Sequence, residues 1–152
     1  MRVEPRIERN VKEMATTFNE LASIWLSGSR ANDGGAQDAD WDLVVFGNRQ
    51  AAEALEASGS FLGQDVDVVF VDLASGEFKR LWKSEIWEDF ASWCWIERSA
   101  TEAEYHSAKF SDQLVMMGGE WVEAGALAVT RKRALRLWPT LAPETEAATA
   151  VN

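Results

Sequence analysis

Three short groups of residues carry the side chains that a phosphate or a metal ion would need. Gly28, Ser29 and Arg30 follow the apolar run Ser23-Ile24-Trp25-Leu26. After the polar loop 30–39, Asp40-Trp41-Asp42 leads into a second apolar run, Leu43 to Phe46. Asp67 lies inside a third run, Asp65 to Val71. On a strand, residues i and i+2 point to the same face. Asp40 and Asp42 therefore project together while Trp41 turns towards packing. Asp67 alternates with Val66 and Val68 and takes the face they avoid. If the two strands are neighbours, three carboxylates converge. Like charges at close range are unfavourable without compensation, and a divalent cation supplies it. All-oxygen ligation suits Mg²⁺ or Mn²⁺, and Mg²⁺ commonly shares its shell with substrate phosphates. Gly28 permits close backbone approach, and the Ser29 amide and hydroxyl can donate to phosphate oxygens. Arg30 adds a cation beside them.

Two alternatives stay open within this pattern. Asp38, Asp40 and Asp42 alternate onto one face, so Asp38/Asp40 could form the pair; Asp40/Asp42 is preferred because only these abut the apolar run. Asp65 competes with Asp67, which is better embedded between apolar neighbours. The 30–39 loop also holds Asp33 and a Gly34-Gly35 pair.

These groups need elements to position them. Ile7, Val11, Met14, Phe18 and Leu21 recur at helical spacing, which predicts an amphipathic helix over 5–22. Strands are expected at 23–26, 41–46 and 65–71, with a helix over 49–58 stopped by Gly59. Further along, Phe78, Leu81, Trp82, Ile86 and Trp87 suggest a helix within 76–90. Residues 93–96 and 105–110 are read as strands. Residues 114–122 read as a β-hairpin, with Gly118-Gly119 at its turn. Thr130 is read as the N-cap of a terminal helix over RKRALRLW, stopped by Pro139. The expected fold is α/β (or α+β), a small mixed β-sheet packed by helices in one domain over 1–140. Residues 141–152 read as a frayed tail.

The ordered pattern LSGSRANDGGAQDADWDLVVF, followed by VDVVF, resembles the nucleotidyltransferase superfamily typified by DNA polymerase beta. It is most similar to small stand-alone bacterial domains of that superfamily. The resemblance covers residues 23–72 and says little about 76–152. It implies a nucleotidyltransferase-like fold. Asp40 and Asp42 would ligate both of two metal ions, Asp67 the catalytic one near the attacking hydroxyl, and Gly28 and Ser29 would hold phosphate. The implied reaction transfers a nucleoside monophosphate (AMP is the first expectation, with ATP as donor) to a hydroxyl and releases pyrophosphate. Two ions about 3.5–4 Å apart would stabilise the attacking and leaving oxygens. The runner-up reading is a non-catalytic, antitoxin-like module that binds nucleotide or metal and acts through a partner protein.

Charge narrows the acceptor. Fifteen basic against twenty-five acidic residues leave a net charge of −10. That disfavours a nucleic-acid polymer, whose phosphates need a Lys/Arg surplus. A small molecule or a protein hydroxyl is the expected acceptor. A single cysteine, Cys94, excludes an intrachain disulfide and fits a reducing, cytoplasmic setting. No apolar run approaches a membrane span, and no apolar signal core is seen near the N-terminus.

Other residues carry paired readings. Cys94 reads as a small buried apolar group, and His106 as a strand-edge histidine rather than a base. The Trp-rich stretch 82–95 could stack a nucleobase, but core packing is favoured. Arg131, Lys132, Arg133 and Arg136 could hold a triphosphate or an acidic partner; Arg136 could equally answer a helix dipole. Lys79 and Lys109 are weaker phosphate candidates.

Overall fold

In a computed structural model, residues 3–18, 20–32, 40–59, 62–107, 114–117, 120–123 and 130–139 are described. Helix α1 (Pro5–Thr17) starts with Pro at its first turn, where a missing N–H is harmless. It buries Ile7, Val11, Met14 and Ala15. The helix is shorter than the 5–22 expectation. Phe18 leaves helical geometry, and Leu21 opens strand β1 (Leu21–Ser27). A short helix, α2 (Ser29–Asn32), follows. Strand β2 (Trp41–Gly47) is next, then α3 (Arg49–Ala57) and β3 (Val66–Asp72). Asn48 caps α3 by accepting the Ala51 N–H at 2.8 Å. Gly59, at φ +77°, ends it.

β2 and β3 are parallel, and α3 supplies the crossover connection that parallel neighbours need. β1 runs antiparallel to β2. The sheet grows at both sides with β4 (Glu77–Arg80), β5 (Glu88–Asp89), β6 (Ile96–Glu97), β7 (Glu102–Ser107) and β10 (Thr130–Trp138). Strands β8 (Leu114–Met117) and β9 (Glu120–Glu123) form a separate antiparallel pair. That is the expected hairpin; Gly118-Gly119 themselves lie outside the described residues. The eight-stranded mixed sheet has the order β5-β4-β3-β2-β1-β10-β7-β6.

Strand alternation divides the core in two. Ile24, Leu26, Leu43, Val45, Val68 and Phe70 face α1 and α3. Trp25, Val44, Phe46, Val69 and Val71 face the other way, towards Phe78, Phe90 and Tyr105. Among the described residues no helix is long and apolar enough to cross a membrane.

Four sequence expectations are corrected. The helix within 76–90 is instead β4, a turn, β5 and the start of a 3₁₀ turn (Phe90–Trp93). The free edge of β3 needs backbone partners, and β4 supplies them in an antiparallel ladder while placing Phe78 in the aromatic core. The terminal helix is instead β10. Its RKRALRLW segment favours helix locally, but here it bridges β1 and β7 with backbone pairing on both sides. The strand over 93–96 reduces to Ile96–Glu97, because Cys94 turns left-handed at φ +51°. Cys94 is exposed, contrary to the buried reading. The strand expected at 105–110 is β7 as far as Ser107; 108–110, Lys109 and the 141–152 tail lie outside the described residues.

Candidate active site

Register lines up Ser27, Asp42 and Asp67 across three strands. Ser27 on β1 pairs with Asp42 on β2, and Asp42 pairs with Asp67 on β3. Each sits on the aromatic face, because its neighbours Leu26, Leu43 and Val68 face the helices. Adjacent strands lie roughly 4.8 Å apart, so Asp42 and Asp67 stand side by side. The order Ser27–Asp42–Asp67 forms a row across one edge of that face. Asp40, exposed, lies just ahead of β2 and close enough for its charge to act on Asp42. Trp41 turns away and is buried in the helix-side core.

The turn at 28 is pressed against this row. Gly28 adopts φ +71°, and a Cβ there would overlap Asp42 Oδ2 and come within 3.0 Å of its Cγ. Only glycine meets both demands. Its N–H donates to Tyr105 Oη at 2.9 Å, and its carbonyl accepts from Asn32 Nδ2 at 2.7 Å. Ser27 Oγ donates to the Asp42 carbonyl at 3.2 Å. Ser29 begins α2 directly after the turn.

The electrostatics follow from this crowding. Burial, and then the neighbouring charges of Asp67 and Asp40, push the Asp42 carboxyl up to about 6. Lys83 counters them. Its ammonium pairs with Asp67 and feels Asp40 and Asp42 as well. Burial pushes the Tyr105 hydroxyl up, and the nearby Asp42 charge adds to it.

Other candidates are engaged elsewhere. Asp65 makes a bidentate pair with Arg6, at 3.1 and 2.7 Å, so Asp67 is the member of that couple beside Asp42. Arg30 lies over the Trp41 ring at 4.1 Å. Lys79 is buried against Glu56 at 2.7 Å, on a different part of the sheet edge. Arg133 ties β10 to α2, with its backbone N–H on Asn32 and its Nε on the Ala31 carbonyl, both at 2.8 Å. Arg136 donates to the Ala100 carbonyl at 3.2 Å. With β10 a strand, the helix-dipole reading of Arg136 falls away. Trp93 and Trp95 pack in the aromatic core with Phe90 and Tyr105. Trp82 and Trp87 are held by Glu56 and Arg49. Asp33 and Asp38 lie outside the described residues.

Sequence reasoning missed Lys83 and Tyr105. A lone lysine between Trp82 and Ser84 carries no local signal, and Tyr105 reaches the turn from 77 residues away. Its being the chain's one tyrosine was the only hint.

A scan against protein-family models and searches of curated proteins and solved structures each gave no match. The functional reading therefore rests on the geometry.

Among the described residues, no three His, Cys, Asp or Glu side chains converge as a ready cage for a metal ion. The donor chemistry still fits a hard divalent cation. Asp42 and Asp67 are adjacent oxygen donors on paired strands. Burial, and then repulsion from Asp67 and Asp40, holds the Asp42 carboxyl high, so a further cation beside the row would favour its charged form. Mg²⁺ is usually bound through one or two carboxylates, with waters and phosphates completing its shell.

Proposed function

We propose that the protein is a metal-dependent nucleotidyltransferase that moves a nucleoside monophosphate, AMP first among candidates, from a triphosphate to a hydroxyl. The observation that carries this reading is the registered row Ser27–Asp42–Asp67 with the Gly28 turn packed against Asp42. These are residues of the ordered sequence pattern that resembles the polymerase-beta superfamily, and their adjacency supports the reading. A nucleotidyltransferase fold is part of the same proposal, and the mixed sheet with its helices is compatible with it.

In this reading Asp42 and Asp67, with Asp40 nearby, would hold Mg²⁺ (or Mn²⁺), which would neutralise charge on the transferring phosphoryl group. Gly28 and Ser29 orient the triphosphate, with the Ser29 amide and hydroxyl as donors. The Gly28 amide is already taken by Tyr105, so Tyr105 sets the turn rather than meeting phosphate. The acceptor oxygen bonds to the α-phosphorus as the bond to the β-phosphate oxygen breaks. Pyrophosphate leaves, and the acceptor proton passes to solvent or to the Asp67 side of the row. Positioning and charge stabilisation supply most of the acceleration in such chemistry. The net charge of −10 favours a small molecule or a protein hydroxyl over a polynucleotide.

The Lys83–Asp67 pair and the absence of a three-ligand cage among the described residues favour a second reading. In it the fold is a regulatory module that binds nucleotide or metal without catalysis and acts through a partner protein. Incubation with α-labelled triphosphates, Mg²⁺ and cell extract separates the two. The enzyme transfers label to an acceptor and Asp42→Asn does not. Binding of nucleotide without transfer, equal in both proteins, supports the module.

A further inference from the structure

The turn after β4 is built with more care than a surface loop requires. Trp82 has φ +63°, a left-handed conformation that bulky side chains rarely adopt. Its N–H donates to Glu56 Oε2 at 3.0 Å, and its indole Nε1 donates to the Glu56 carbonyl at 3.1 Å. Glu56 is itself anchored by the buried Lys79. The turn is closed by the Ser84 N–H on the Arg80 carbonyl at 3.0 Å, and Leu81 is tied to β3 through the Val68 carbonyl at 3.0 Å. Strained residues held in place by their surroundings cluster at active sites, ligand clamps and switch regions. The residue that follows Trp82 in this turn is Lys83. Its ammonium reaches across to Asp67, on the strand beside Asp42, within the fields of Asp40 and Asp42.

Lys83 differs from a structural ion-pair partner in its freedom. Its side chain is 59% exposed, against 9% for Lys79. An exposed pair of this kind is weakly held and easily exchanged. The long flexible stem lets the ammonium move without disturbing the turn. It lies on the acids that the proposed reaction would fill with a divalent cation, and triphosphate oxygens would offer it a new partner.

On the nucleotidyltransferase reading given above, we propose that Lys83 is the resident counter-cation of the site. In the metal-free protein it neutralises Asp67, and a metal–triphosphate complex displaces it. The ammonium then passes from Asp67 to the phosphate oxygens. Divalent metal alone binds weakly because it competes with Lys83. Metal and triphosphate bind cooperatively because the triphosphate takes up the released ammonium.

The test is calorimetric titration with Mn²⁺, alone and with an α,β-methylene triphosphate, which cannot transfer its nucleotide. Wild type, Lys83→Met, Lys83→Arg and Asp67→Asn are compared. Lys83→Met binds Mn²⁺ alone roughly tenfold more tightly than wild type and loses the triphosphate-dependent gain. Lys83→Arg keeps the charge and follows wild type, and Asp67→Asn weakens Mn²⁺ binding. If Asp67→Asn weakens binding while Lys83→Met matches or falls below wild type, the counter-cation role is overturned and the metal site stands. If Mn²⁺ binding is absent or indifferent to both residues, the metal reading falls and takes this proposal with it.

Discussion

Replacing Asp42 by Asn should make the metal-free protein more stable while removing transfer. Burial and the neighbouring acids raise this carboxyl from its ordinary 3.8 to about 6. A raised carboxyl binds its proton more tightly in the folded state. Its favourable contribution is therefore complete below about pH 3.8 and is lost as pH rises through 6. Unscreened, a rise of about two pH units corresponds to ~3 kcal/mol. Partial solvent access reduces this, and ~1–2 kcal/mol is the expected strain at neutral pH. An Asn amide carries no charge to repel, and it can donate to Asp67. Urea unfolding in chelator should show Asp42→Asn more stable than wild type by ~1–2 kcal/mol at pH 7.5. The difference should shrink towards zero by pH 4. Equal stabilities at pH 7.5, or a gain that persists undiminished at pH 4, would refute the electrostatic account of the row.

Other consequences follow from single contacts. Gly28→Ala forces a side chain into a left-handed backbone and onto Asp42, so a loss of roughly 2–4 kcal/mol in urea unfolding is expected, together with loss of transfer. Tyr105→Phe removes the acceptor of the Gly28 N–H, and a loss of ~1–2 kcal/mol should appear with a raised KM for triphosphate. Glu56→Ala removes the nearer acidic partner of the buried Lys79, leaving Glu85 at 3.8 Å, and frees the Trp82 turn; a loss of roughly 2–3 kcal/mol is expected by the same assay. Millimolar Mg²⁺ should raise the melting temperature of wild type more than that of Asp42→Asn or Asp67→Asn, because only the intact row gains from the ion.

The site was legible because residues 23–72 alternate cleanly. Trp41, Leu43 and Val45 face one way, Asp42, Val44 and Phe46 the other, and a short run of that kind leaves little freedom of face. The Gly59 stop likewise marked the end of α3 in local terms. The second half lacked such signals. Phe78 and Leu81 fit one helix face by spacing, yet they are placed in opposite core layers by the β3–β4 pairing. Thr130–Trp138 is rich in good helix formers, and its strand state comes from its two long-range partners, β1 and β7. Lys83 and Tyr105 enter the site through turn geometry and strand order, neither of which is written near them in the chain.

The most direct test of the central claim is a crystal structure with Mn²⁺ and a non-transferable triphosphate, using the anomalous signal of manganese. The account predicts a manganese peak in contact with both Asp42 and Asp67, with phosphate oxygens at the Gly28–Ser29 turn. Triphosphate and metal bound away from that row, with Lys83 still on Asp67, would contradict it.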